Sequence, residues 1–420
     1  MAVAIPHNAL LHDDNSHLYC QVCRDPLHQE PIQDVITKSI EEIRNQLNTG
    51  SQFWAAARGE ENFQGEGALT RIRRKEIDPV HVKALEQVRE GLSNYPIQGG
   101  VNLRADDGTH MMEHIWRNQT GSIPASRAHS SRAIGKFIRD NDIKGHTTKD
   151  THGMSNMDKM WGPSEDLPTW GCNMGSKLRA NDKDTVCDGC YVDNVLHLKS
   201  DSVQAHQTRN LLGLANPQMY AAALSWQIGE AGHDRIRLNA SGDIQGPHHF
   251  AIHSDVARAH PDKKFWLSTR EHEHLEDFLK AGGDIPSNLT VRVSQHSQHQ
   301  PVHHSTQMRN LIASHPNITG SSVNASHKYD HGEVWVCPAA GKTGEQNRCE
   351  THNCDACWDP NVKAIDYTGH GSKTFHHSLD EQEKNLAMAH QWWVQQQLEE
   401  KRLSLMSPSE GEPDLSAFLP

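Results

Sequence analysis

The chain lacks any apolar run approaching the roughly 18 residues that a membrane-crossing helix needs. Met1 to Asp14 also lacks the basic start and apolar block of a secretory leader. A soluble intracellular protein in the cytoplasm, with no membrane partner, is therefore expected. Positive charge is not in excess either: 41 Lys and Arg against 53 Asp and Glu leave a formal net charge of -12. That argues against a surface coated for duplex nucleic acid, which needs concentrated cations to displace counterions. Common catalytic signatures are missing as well, with no His-Glu-x-x-His helix and no Gly-x-Ser-x-Gly elbow. Gly341-Lys342-Thr343 only imitates the end of a phosphate loop, because Val336 stands where that pattern needs its first glycine.

What is present is a long chain. At about 150 residues per unit, its 420 residues give two or three compact units, and a hydrophobic fraction of 35% leaves room for loops and tails. To about Ser164 the chain is polar and irregular. Two helices are expected there: Ile36, Ile40, Ile43 and Leu47 recur at helical spacing, and Asp78-Pro79 gives a cap and first turn for a helix carrying Val82, Leu85, Val88 and Leu92. The basic run Arg71, Arg73, Arg74, Lys75 reads as a solvated face.

From about Asp166 strand-like and helical runs alternate. Strands are predicted over 235–239, 264–268, 289–294 and 317–323, with helices over 202–213, 217–229, 248–260, 271–280 and 305–315. Strand starts roughly 25–30 residues apart match a strand, a crossover helix and two turns. Such βα repetition builds a parallel barrel or a doubly wound sheet, and in both the ligands sit past the carboxyl ends of the strands. Three polar triplets fall there: Ser241-Gly242-Asp243, Thr269-Arg270-Glu271 and Ser294-Gln295-His296. Helix-cap chemistry is the alternative account of each. Ser378-Leu379-Asp380-Glu381 opens a capping-box helix that carries Trp392 and Trp393, and from Ser407 the composition is that of a disordered tail. The units expected are an extension over 1–164, a βα domain over 165–376, a helix over 377–406 and a tail over 407–420.

The 31 histidines are dispersed and read mainly as solvated polar surface, whereas the nine cysteines are grouped. Cys187 and Cys190, two residues apart, can reach one metal from a single turn, with Cys172 upstream as a third thiolate. Three thiolates suit an iron-sulfur cluster with one open iron; a histidine such as His197 or His206 would instead close a zinc site. Cys337, Cys349, Cys354 and Cys357 supply four thiols, enough for closed zinc or an auxiliary cluster. Cys20 and Cys23 with His12, His17 and His28 make a weaker zinc knuckle.

Several blocks resemble the bacteriophage proteins carrying the gene product 88 domain. They are Leu167-Pro168-Thr169-Trp170-Gly171-Cys172, Cys187-Asp188-Gly189-Cys190-Tyr191, Ser241-Gly242-Asp243, the run from Phe265 to Glu271, Pro286-Ser287-Asn288-Leu289, and Cys354-Asp355-Ala356-Cys357-Trp358-Asp359. A more distant likeness is to radical S-adenosylmethionine proteins. It implies an incomplete parallel βα barrel, a four-iron four-sulfur cluster on Cys172, Cys187 and Cys190, and S-adenosylmethionine bound at Ser241, Gly242 and Asp243. Arg270 and Glu271 would then act near the substrate, for which the phage context suggests a nucleic acid or nucleotide. The spacing departs from that pattern, since fourteen residues separate Cys172 from Cys187. The competing expectation is a non-catalytic, zinc-stabilised protein that binds a host or phage macromolecule.

Overall fold

The computed structural model of the chain describes residues 9–11, 17–20, 26–31, 79–122, 126–141, 143–145, 153–155, 159–181, 185–187, 190, 192, 201–298, 300, 302, 305–324, 334–339 and 348–368. The expected helix over 36–47, the basic run at 71–75, Cys23, His197, the 341–343 motif, the helix over 377–406 and the tail lie outside the described residues. A small antiparallel sheet comprises β1 (Ala9–Leu11), β2 (His17–Cys20) and β3 (Pro26–Pro31).

The helices preceding the main sheet are α1 (Pro79–Leu92), α2 (Met111–Thr120), α3 (Arg127–Asp140), α4 (Asn173–Asn181), α5 (Asp201–Gly213) and α6 (Pro217–Ala231). Then come β4 (Arg235–Leu238), α7 (Pro247–Arg258), β5 (Lys264–Thr269), α8 (His272–Lys280), β6 (Leu289–Ser294), α9 (Thr306–Ser314) and β7 (Ile318–Asn324), followed by β8 (Val334–Val336) and β9 (Ala364–Thr368). The six strands from β4 onward pair in parallel in the order β4-β5-β6-β7-β9-β8. The sheet does not close. This is the open βα barrel that the strand cadence and the resemblance implied, with helices flanking it.

Alternation along the strands separates two faces. Ile236, Leu238, Phe265, Leu267, Leu289, Val291, Val293 and Ile318 join Leu224, Ile228, Phe250, Val256, Leu275, Phe278, Met308 and Leu311 of the helices in one core. Helix α6 is buried from Met219 to Ile228 on every side, as expected of a helix apolar all round. Val88 and Leu92 of α1, with Tyr95 and Leu103, share that core. Arg237, Trp266, Ser268, Thr290, Arg292, Ser294, Thr319 and Ser321 alternate with the helix-facing residues and line the other face. Here Arg237 lies over the Trp266 ring at 4.6 Å, and Trp266 meets Trp358 edge-on at 5.5 Å.

One extended piece was not foreseen. The Glu165 N–H donates to Arg237 O (3.0 Å) and the Ala240 N–H to Glu165 O (2.8 Å), so the stretch around Ser164 runs parallel to β4 along its free edge. It is too short and too polar to announce itself as a strand. Its side chains reach the helix-covered face, which gives the core a carboxylate.

Candidate metal centre

Glu165 comes from that edge segment, while His249 and His253 are four residues apart on α7 and so project from one side of it. All three side chains are 0% exposed. One ligand atom from each lies within 4.8 Å of the other two, the one such group of three among the described residues. His253 Nε2 contacts Glu165 Oε2 at 2.9 Å, and the Tyr220 hydroxyl donates to Glu165 Oε1. The Gln245 N–H donates to His249 Nδ1 at 3.3 Å, and the two imidazole centroids are 4.3 Å apart.

Two nitrogens in this cluster have no hydrogen-bond partner, His249 Nε2 and His253 Nδ1. Unpaired buried polar atoms are rare in native folds and call for an explanation such as an ion. Imidazole and carboxylate are donors suited to a zinc-class ion, so the group fits one. Burial by itself would raise the Glu165 carboxyl, yet His253, through its charge and hydrogen bond, and Lys144 hold it down at about 2. His249 is pushed well below the usual histidine range, by burial first and by His253 second. Lys144 Nζ, buried without a hydrogen-bond partner 5.4 Å from the Tyr220 ring centroid, is lowered to about 8 by burial against the pull of Glu165 and Asp166.

This donor set overturns the iron-sulfur expectation. No cysteine belongs to it, and the sulfurs of Cys172, Cys187 and Cys190 form no comparable group. They sit on two loops at the carboxyl end of the sheet. The Met174 N–H, two residues past Cys172, donates to Glu271 Oε1 at 2.6 Å, and the Val186 N–H, next to Cys187, to His296 O at 2.9 Å. The expected S-adenosylmethionine contact falls with the cluster, because the Ser241-Gly242-Asp243 turn is occupied by the protein itself. Ser241 donates its hydroxyl to Leu167 O (2.8 Å) and accepts from Gln207 Nε2 (2.9 Å). Asp243 accepts from the Thr269 hydroxyl (2.7 Å), the Ile244 N–H (2.8 Å) and the Arg270 N–H (2.9 Å).

The triplets do converge, as their equivalent positions suggested. Arg270 Nε donates to Gln295 O at 3.3 Å, and the His272 and His296 rings stack at 4.6 Å. Ser268, Ser294 and Ser321 form a hydroxyl ladder of 3.0 and 2.7 Å across three strands. Glu271 is pushed up to about 8 by burial and by the Asp243 charge. His206, expected as a zinc-closing ligand for the cysteines, lies instead 3.2 Å from Asn210 Nδ2.

Residues 144–360, about half the chain, match the family described as Gene product 88. The chain belongs to the Gene product 88 family. No curated protein and no solved structure matches it. The matched region of this Gene product 88 protein runs from Lys144 past Cys357 and contains the whole Glu165-His249-His253 group. The likeness to radical S-adenosylmethionine proteins is confined to the open parallel sheet.

The signal for the histidines was present in the sequence as a four-residue spacing inside the predicted helix over 248–260. Among 31 histidines it did not stand out. Glu165 could not be paired with them without knowing that its segment extends the sheet.

Proposed function

We propose that this Gene product 88 protein is a non-catalytic, metal-stabilised protein that binds a host or phage macromolecule, with Glu165, His249 and His253 as the groups that hold its ion. Burial carries this reading: all three side chains are 0% exposed. An ion that acts on substrate keeps a coordination position open to a cavity, whereas a structural ion is enclosed by the protein. Enclosed between the sheet edge and α7, a zinc-class ion would supply folding free energy rather than chemistry. Support for a macromolecular partner comes from β8, where Trp335 is 47% and Val336 39% exposed. Aromatic residues are enriched at protein interfaces.

Metal analysis of the full chain is expected to find a tightly held divalent ion, and His249→Gln/His253→Gln should lose about one ion per chain together with thermal stability. A full metal complement in that variant would reject the ligand set. Water-proton relaxation of the manganese-loaded protein should show no water bound directly to the ion; rapidly exchanging inner-sphere water would reject the closed site and with it the non-catalytic reading. Photocrosslinking from position 335 in cells making the protein should give adducts, and their absence would remove β8 as the docking strand.

A further inference from the structure

We infer that Cys337, Cys349, Cys354 and Cys357 form a second zinc site, a closed tetrathiolate on the sheet face opposite the helices. This does not rest on the Glu165 reading. The four residues are gathered from separate segments by main-chain contacts. The Cys337 N–H, just past β8, donates to Asp366 O at 2.9 Å, the Cys349 N–H to Lys159 O at 2.9 Å, and the Cys354 N–H to Cys349 O at 3.0 Å. Cys337, Cys354 and Cys357 pack in one cluster with Trp266, Trp358 and Ile365. The Cys354 N–H bond to the Cys349 carbonyl ties Cys349 to that same cluster.

The second observation is a buried cation beside the thiols. Arg292 is 0% exposed, and its guanidinium donates to the carbonyls of Cys357 (3.1 Å), Val362 (2.9 Å), Ala356 (2.5 Å) and Asp359 (3.1 Å). These bonds fasten the loop bearing Cys354 and Cys357 to β6. Carbonyl dipoles satisfy its N–H groups but not its net charge, and a buried cation requires an anion nearby. The neighbouring acidic groups are Tyr367, Cys357, Asp359 and Cys354, and Lys159 adds a further cation beside Cys337, Cys349 and Cys357. Asp359 supplies one carboxylate against these two cations, and protonated thiols add no further counter-charge.

Zinc binding supplies it. Four S–H bonds break, four protons pass to solvent and four Zn–S bonds form, leaving a dianionic centre against Arg292 and Lys159. The Tyr367 hydroxyl, 3.2 Å from Cys357 Sγ, is placed to donate to the resulting thiolate and hold it in orientation. No three of the four sulfurs lie within 4.8 Å of one another. Bonds of about 2.3 Å to one ion would draw them together.

Cobalt substitution of the full chain tests this. The wild type should show intense thiolate-to-cobalt charge transfer, Cys354→Ser/Cys357→Ser should lose it with about one zinc per chain, and His249→Gln/His253→Gln should keep it. Absence of the band in the wild type, or its persistence in the cysteine variant, overturns the proposal. Because that variant could misfold, alkylation of the wild type gives a second readout. The four thiols should react at least about tenfold faster after zinc removal; equal rates with and without zinc would overturn the site, whatever happens at Glu165.

Discussion

Gly242 occupies φ +73°, and a Cβ there would stand 2.4 Å from Leu167 Cβ and 2.8 Å from Leu167 O. Alanine would strain the backbone and push aside the segment carrying Glu165. Gly242→Ala should therefore cost at least about 2 kcal/mol in urea unfolding; a loss under about 0.5 kcal/mol would show that the turn yields. The Ser241-Gly242-Asp243 turn was legible from its place after a strand, but its role was not. Strand-end position marks polar residues that could face a ligand, and only coordinates reveal that Leu167, Gln207, Thr269 and Arg270 already use them. Glu271 gives a test of sign. A carboxyl raised in the folded state, here to about 8, favours folding at low pH, and that contribution is lost as pH climbs from its unfolded value of 4.5 through 8. Glu271→Gln keeps an acceptor for the Met174 N–H but has nothing to ionise. Its stability relative to wild type should rise across that window by about 1–3 kcal/mol, read from urea unfolding at either end. A constant difference would place the titration elsewhere.

At the scale of elements, α7 performs three tasks on one helix. Phe250, Ile252 and Val256 fill the core, His249 and His253 face Glu165, and Asp255 fastens the stretch after α1. Asp255 accepts from the Tyr95 hydroxyl (2.9 Å), the Gly100 N–H (2.9 Å) and the Val101 N–H (3.1 Å), with Arg258 at 2.8 Å. Asp255→Ala leaves those donors without partners and should cost about 2–4 kcal/mol, accompanied by early proteolysis around residues 93–110. Stability within about 0.5 kcal/mol of wild type would mean that water replaces the carboxylate. The strands and crossover helices were readable because each repeats an apolar run closed by turn or cap residues: Ser305 caps α9 by accepting from the Met308 N–H at 3.0 Å, close to the predicted start. The Ser164 edge piece was not readable, since it makes its sheet bonds at Pro163 and Glu165 within a run too short and too polar to show strand alternation.

In the molecule as a whole, the two groups proposed to hold ions lie on opposite faces of one sheet. Glu165, His249 and His253 join its first edge to the helix layer, while Arg292 fastens the loop bearing Cys354 and Cys357 to the polar face over β5 and β6. The central strand β6 is buried from Leu289 through Ser294, whereas β8, among the described residues, pairs with β9 alone and exposes Trp335. Opening free energy follows burial and pairing, so amide exchange should be slowest in β5 and β6 and fastest in β8. Removing the ions separately should then divide the sheet. His249→Gln/His253→Gln should raise exchange in α6, α7 and the Ser164 segment, and Cys354→Ser/Cys357→Ser in residues 348–368 and β8, with β6 protected in both. If either variant instead unprotects all strands to the same extent, the two faces open as one cooperative unit, and neither ion acts as a local staple.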